Sequence, residues 1–283
     1  MGACTFCGKP AGFLHSEHPE CRRQRDEKVA EQNRLLAELE HQATDAAVSG
    51  SPEALAAIAA QSSKPELAGA NTRAVLVRGY SNAIDRLLES EGVGAEHEKG
   101  LSLYASTLGL TDVEKGENGA QTKLVKALVL RDAAAGEIKS RINVSGTIPF
   151  AFKRGEVILW YFNDVKLLEV EQFTHYEGSS QGVSLRVMKG VYYRVGAFKG
   201  TPVKHEQTVL VDTGVVALTQ HAIYFGGHRK SVHLPYDKVV SVVPYSDGIG
   251  LQKDGLSAKP LTLTPLDGWF AYNLVKTLAA NVA

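Results

Sequence analysis

Apolar residues recur at helical spacing through the first half of the chain and alternate with polar ones through the second, with the change near Ile148. Val29, Leu35, Leu36, Leu39 and Ala43 mark one face of an amphipathic helix that runs to about Val48. Ser49-Gly50-Ser51-Pro52 stops it, an alanine-rich stretch follows, and Gln61-Ser62-Ser63-Lys64-Pro65 makes a second break. From about Glu66 to Val144 three more stripes appear: Val75, Leu76, Ala83, Ile84, Leu87 and Leu88; then Leu101, Tyr104 and Leu108; then Leu124, Leu128 and Leu130. Gly92, Gly94, Gly109 and the stretch Gly116 to Gly119 separate them, which predicts three or more short helices in a small bundle.

The alternating half predicts strands at 156–162, 165–170, 183–188, 191–195, 208–211, 215–218, 222–225, 231–234, 239–242 and 261–264. Many short strands separated by glycine, proline, asparagine and aspartate imply a barrel or sandwich. Helical period returns from Gly268 to Asn281, with Phe270, Leu274 and Leu278 on one face, placed to plug one end of a barrel. The expected fold class is therefore α+β and multidomain. It comprises a cysteine-bearing module with its helix (1–48), a linker (49–65), a small helical bundle (66–144), and an antiparallel β-barrel with a C-terminal helix (145–283).

A chain of 283 residues suits about two domains of ordinary size. Its 31 basic and 31 acidic side chains balance, which argues against bulk nucleic-acid binding. No apolar run approaches the roughly 20 residues that span a bilayer, and the N-terminus carries no signal-like stretch. The expectation is a soluble, cytoplasmic protein without a transmembrane segment.

The candidate chemistry lies at the N-terminus, where all three cysteines fall within the first 21 residues. Cys4 and Cys7 form a C-x2-C turn with Gly8 behind it; His18 and Cys21, three apart with Pro19 between, suit the first turn of a helix. Two such pairs read as a Cys3His site for a structural zinc ion, since four protein ligands leave no open position for catalysis. His15 is a fifth candidate, ranked lower because pairing it with His18 leaves the Cys21 thiol unused. Three cysteines do not make a disulfide framework. Arg22, Arg23 and Arg25 follow the site; their mixed-charge surroundings read as a solvated face, with a nucleic-acid contact as the alternative.

Two resemblances add to this. The run Asp212-Thr213-Gly214-Val215-Val216-Ala217-Leu218-Thr219, then Ala222-Ile223-Tyr224-Phe225-Gly226 and Leu234-Pro235-Tyr236-Asp237-Lys238-Val239-Val240-Ser241, resembles bacterial pleckstrin-homology-like and GRAM-like domains. The likeness covers about 80 residues, Asp212 to the end, and departs from the pattern in a segment, Thr174 to Gln207, inserted ahead of it. It implies a β-barrel closed by a terminal helix and used for docking. In the middle of the chain, Glu91-Gly92-Val93-Gly94-Ala95-Glu96-His97-Glu98 with Leu108-Gly109-Leu110 resembles helical tellurite-resistance-B-like domains over about 25 residues.

Other motifs have plainer readings. Gly178-Ser179-Ser180-Gln181-Gly182 matches the nucleophile-elbow spacing, but strand pattern follows it where a helix is required. Gly248-Ile249-Gly250 reads as a β-turn, and Asp112, Glu114 and Glu117 as a solvated acidic turn. Lys189-Gly190-Val191-Tyr192-Tyr193-Arg194, with Phe198 and Lys199, interleaves base and aromatic, yet alternation splits it between two faces. His228-Arg229-Lys230 reads as a hairpin tip, with an anionic headgroup site as its functional alternative. With no nucleophile-base pair in view, the expected function is non-enzymatic. It is that of a zinc-binding adaptor that docks a protein or anionic ligand, or, alternatively, of a nucleic-acid-associated regulator acting through Arg22 to Arg25.

Overall fold

The computed structural model describes residues 2–11, 16–90, 92–144, 148–176, 185–188, 191–193, 202–255 and 259–282. His15, the Gly178 to Gly182 motif with Ser180, and Lys189, Gly190, Arg194, Phe198 and Lys199 lie outside them. Two compact units divide the chain at Ala127/Leu128, inside a helix.

The first unit is helical: α1 Pro19–Ser49, α2 Pro52–Ser62, α3 Thr72–Glu89, α4 Ala95–Thr107, α5 Asp112–Lys115 and the start of α6 Ala120–Ala134. α1 ends where Gly50 adopts left-handed backbone (φ 63°) and returns its N–H to the Ala46 carbonyl. Ser51 then caps α2, its side chain accepting from the Ala54 N–H, and Pro52 opens the helix. Leu39, Ala43, Ala46 and Ala47 bury the C-terminal half of α1, which packs along α3. Gly79 lets the two helices meet, because a Cβ there would stand 2.7 Å from the Cβ of Ala43. Tyr104, fully buried, donates from its hydroxyl to the Leu76 carbonyl (2.8 Å) and stacks on Tyr80.

The N-terminal half of α1 differs. Every residue from Arg22 to Glu31 is exposed, so this part is a solvated helical arm about 15 Å long. Val29, expected on the apolar face, is exposed here too, and a helical stretch exposed on all sides gains little from tertiary burial and depends on local pairs and on its cap.

Among the described residues, the second unit holds the end of α6 and nine strands: β1 Ile158–Tyr176, β2 Leu185–Met188, β3 Val191–Tyr193, β4 Pro202–Thr219, β5 Ala222–Gly227, β6 Ser231–Pro235, β7 Val239–Tyr245, β8 Gly248–Lys253 and β9 Leu261–Thr264, then helix α7 Gly268–Val282. Seven form one antiparallel sheet in the order β6-β5-β4-β1-β9-β8-β7; β2 and β3 pair separately. The β1–β4 ladder runs on to Tyr176↔Pro202, so the two ends of the inserted segment, 174–176 and 202–207, prolong this strand pair. Laid flat, β6 and β7 would lie about 29 Å apart at about 4.8 Å per strand. Only Tyr236, Asp237 and Lys238 join them, a reach of about 14 Å, so the sheet is strongly curled.

Curled is not closed: among the described residues no ladder joins β6 to β7, and the architecture observed is an α+β fold with an open antiparallel sheet. The β7 edge is poorly suited to pairing. The ladder slips between Val239 and Ser241, and Pro244, opposite Ile249, has no N–H to offer a further strand.

Three strand readings change. Residues 156–162 and 165–170, expected as two strands, merge into β1, with a register shift between Phe162 and Val165 where Asp164 has φ 55°. Residues 208–211 and 215–218 likewise merge into β4. Gly248-Ile249-Gly250, expected as a turn, begins β8, where the Tyr245 ring lies so close over Gly250 that a Cβ would meet its hydroxyl at 2.9 Å. Ahead of β1, Phe150 and Phe152 form a strap whose rings pack on Tyr224 at 5.5 and 5.1 Å. α7 lays Phe270, Ala271, Leu274, Val275 and Leu278 into the core, with the Phe270 ring 4.7 Å from Trp160.

Candidate metal centre

A short knuckle presents the first two thiols. Ala3 bridges Pro10, the Cys4 N–H donates to the Lys9 carbonyl (2.7 Å), and the Gly8 N–H donates back to the Cys4 carbonyl (2.8 Å). Gly8, with φ 74°, supplies the left-handed residue that this reversal needs. The other two ligands sit at the start of α1: His18 is its N-cap residue, Pro19 its first helical residue, and Cys21 lies on the first turn. The His18 side chain makes no capping hydrogen bond, so it is left for another task.

One donor atom from each of Cys4, Cys7, His18 and Cys21 lies within 4.8 Å of all the others. His18 Nδ1 is 3.5 Å from Cys7 Sγ and 3.7 Å from Cys21 Sγ. A tetrahedral zinc ion with bonds of about 2.3 Å to sulfur and 2.05 Å to nitrogen places such N···S pairs about 3.6 Å apart, so the spacing fits that metal. On the far side of the ring, His18 Nε2 lies 2.9 Å from the Pro10 carbonyl. A proton donated from Nε2 to that oxygen leaves Nδ1 as the lone-pair donor facing the thiols, the outer-shell arrangement of a ligating histidine.

The thiols are electrostatically unequal. Burial pushes the Cys4 thiol up, but the N–H groups of Cys7, His18 and Phe6 donate to its sulfur and hold it at about 6. Cys21 is pushed up to about 11, by burial and then by the neighbouring sulfurs of Cys7 and Cys4. Three thiols crowded together resist losing all three protons, and a bound divalent cation reverses that order.

A buried acid, Glu17, ties the knuckle to the arm. Its carboxylate accepts from Arg25 Nη1 at 2.6 Å to both oxygens and from the Thr5 hydroxyl at 3.0 Å. Arg25 also pairs with Asp26, Arg23 with Glu20 and Glu27, and Arg22 lies 3.9 Å from Glu17. The arginine cluster is thus matched by carboxylates along its length. Sequence reasoning missed Glu17: no periodicity marks it, and the one available signal is an acid eight residues before an arginine.

The other candidates are committed elsewhere. Glu114 forms a two-pronged pair with Arg73 (both contacts 2.6 Å), and Arg73 also donates to the Leu108 and Gly109 carbonyls. Asp112 pairs with Lys115. At the β5–β6 tip, Asp212 accepts from the Arg229 and Lys230 N–H groups at 2.6 and 2.8 Å, so the amides that an anion would seek already hold a carboxylate. Among the described residues, the Cys4/Cys7/His18/Cys21 group alone has three or more candidate ligands within metal-binding reach. Among the described residues, no helix is long and apolar enough to cross a membrane. Comparison of the chain with protein-family models, curated proteins and solved structures finds no match.

Proposed function

We propose that this protein is a non-enzymatic, zinc-binding interaction protein of the cytoplasm, in which a structural zinc ion clamps the knuckle to the start of α1 and so holds the exposed arm helical. The observation that carries the reading is the meeting of four ligand atoms within 4.8 Å, with N···S spacings suited to tetrahedral zinc. When bound there, the ion supplies charge neutralisation for the thiolates and no open position for a substrate. Cys4 and Cys7 hold it from the knuckle, His18 and Cys21 from the helix, and Pro10 orients His18.

The β unit is the docking module in this reading, a pleckstrin-like barrel. What supports it is the strand order. Leaving aside the β2–β3 hairpin, each strand pairs with the next except at β6–β7, the first pairs with the last, and a helix follows. A protein partner suits this surface better than an anionic headgroup, given that Asp212 occupies the tip amides. The nucleic-acid alternative draws no support from Arg22 to Arg25, whose charge is matched by Glu17, Glu20, Asp26 and Glu27.

Elemental analysis of the full-length protein tests the metal claim: about one zinc per chain is expected, falling to near zero in Cys4→Ser/Cys7→Ser. Far-UV circular dichroism of that variant should lose helix equivalent to roughly ten residues, the length of the arm from Arg22 to Glu31. A protein that neither retains nor takes up zinc contradicts the reading.

A further inference from the structure

Resting on the zinc reading above, we propose that a peroxide converts the knuckle to a Cys7–Cys21 disulfide, and that this bond keeps α1 clamped after the metal has left. The three sulfurs differ in access: Cys4 is buried, Cys7 exposed and Cys21 half-buried. The Cys4 sulfur also accepts from the N–H groups of Cys7 and Phe6 in the knuckle and of His18 at the start of α1. With all three sulfurs held as thiolates by the metal, oxidation follows access, so Cys7 reacts first.

Its sulfur attacks one oxygen of hydrogen peroxide, the O–O bond breaks, and the departing oxygen takes a proton and leaves as water. Cys7 is then a sulfenic acid. The Cys21 thiolate attacks that sulfur, the S–S bond forms, and hydroxide leaves, taking a second proton to become water. In sum, two thiolates, one hydrogen peroxide and two protons give one disulfide and two waters, with two electrons passing from the sulfurs to the peroxide. The sulfurs already lie within 4.8 Å of each other, and side-chain rotation can close that gap toward a bond of about 2.05 Å. One thiolate and one imidazole remain, too few to retain zinc, which is released.

The pairing decides what happens to the arm. A Cys4–Cys7 bond would lie inside the knuckle and leave α1 untethered. A Cys7–Cys21 bond joins the knuckle to the first turn of α1, the same two pieces that the metal joins. Metal loss therefore has two outcomes: chelation under reducing conditions frees the arm, and oxidation does not.

The test treats zinc-loaded full-length protein with one equivalent of hydrogen peroxide, following zinc with a chromophoric chelator, cysteine pairing by peptide mass mapping, and helix content by circular dichroism. Expected are release of about one zinc per chain, a Cys7–Cys21 cross-linked peptide, and a retained helical signal, with reductant and zinc restoring the starting state. Reduced protein given the chelator alone should lose that signal. A dominant disulfide containing Cys4, a Cys7 sulfinate without disulfide, or helix loss on oxidation equal to that on chelation overturns the proposal. Zinc content before peroxide separates the two claims: protein that takes up no zinc fails the earlier reading, and mapping of its disulfide still decides the pairing.

Discussion

His18 does three things at once in this fold: its backbone starts α1, Nδ1 faces two thiols, and Nε2 meets the Pro10 carbonyl. Local spacing made it readable together with Cys4, Cys7 and Cys21, because all four ligands lie within 18 consecutive residues and depend on little tertiary structure. Side chains whose partners come from afar were not readable. Asp132 is one: it is buried and pairs with Arg131 (2.8 Å) and with Arg141 (2.5 Å), nine residues on. Burial pushes its carboxyl up, but the two guanidiniums prevail and hold it below the usual carboxylate range. Asp132→Ala removes the partner of two half-buried guanidiniums, so it should cost about 2 kcal/mol in urea unfolding, and a loss below about 0.5 kcal/mol would count against this role.

Among the elements, Arg73 ties α3 to the α4–α5 connection and to α5, donating to the Leu108 and Gly109 carbonyls and pairing with Glu114. Hydrogen bonds from Arg73, then from the Thr111 N–H and hydroxyl, hold the Glu114 carboxyl at about 2, against an ordinary value of 4.5. Because the folded value is the lower one, the stabilisation is complete above about 4.5 and is lost as pH falls through about 2. Stability measured between pH 5 and 2 should therefore fall less steeply in Glu114→Gln than in the parent; equal slopes would remove Glu114 as a contributor. Helices with strong stripes were legible because each buries a face. β8 was not: Gly248 and Gly250 resemble a turn in sequence, and only the Tyr245 ring lying over Gly250 explains a small residue within a strand. The Phe150/Phe152 strap was equally hidden, since its rings pack on Tyr224 without belonging to any ladder.

At the scale of the molecule, sequence period changes near Ile148, while the compact units divide at Ala127/Leu128. Alternation predicts which residues form strands, but closure depends on whether the last edges meet, and the bulge and Pro244 on β7 bear on that long-range event. Both tryptophans, Trp160 and Trp269, lie in the second unit, and the metal site lies in the first. Chelation should therefore reduce the far-UV helical signal with tryptophan emission unchanged. A coincident shift in emission would mean that the β unit depends on the metal.

The central claim, a Cys3His zinc clamp at the base of the arm, is tested most directly by X-ray absorption at the zinc edge of the purified full-length protein. The account predicts a four-coordinate first shell of three sulfurs at about 2.3 Å and one nitrogen at about 2.0 Å. A shell dominated by oxygen, or one with fewer than three sulfurs, would contradict it.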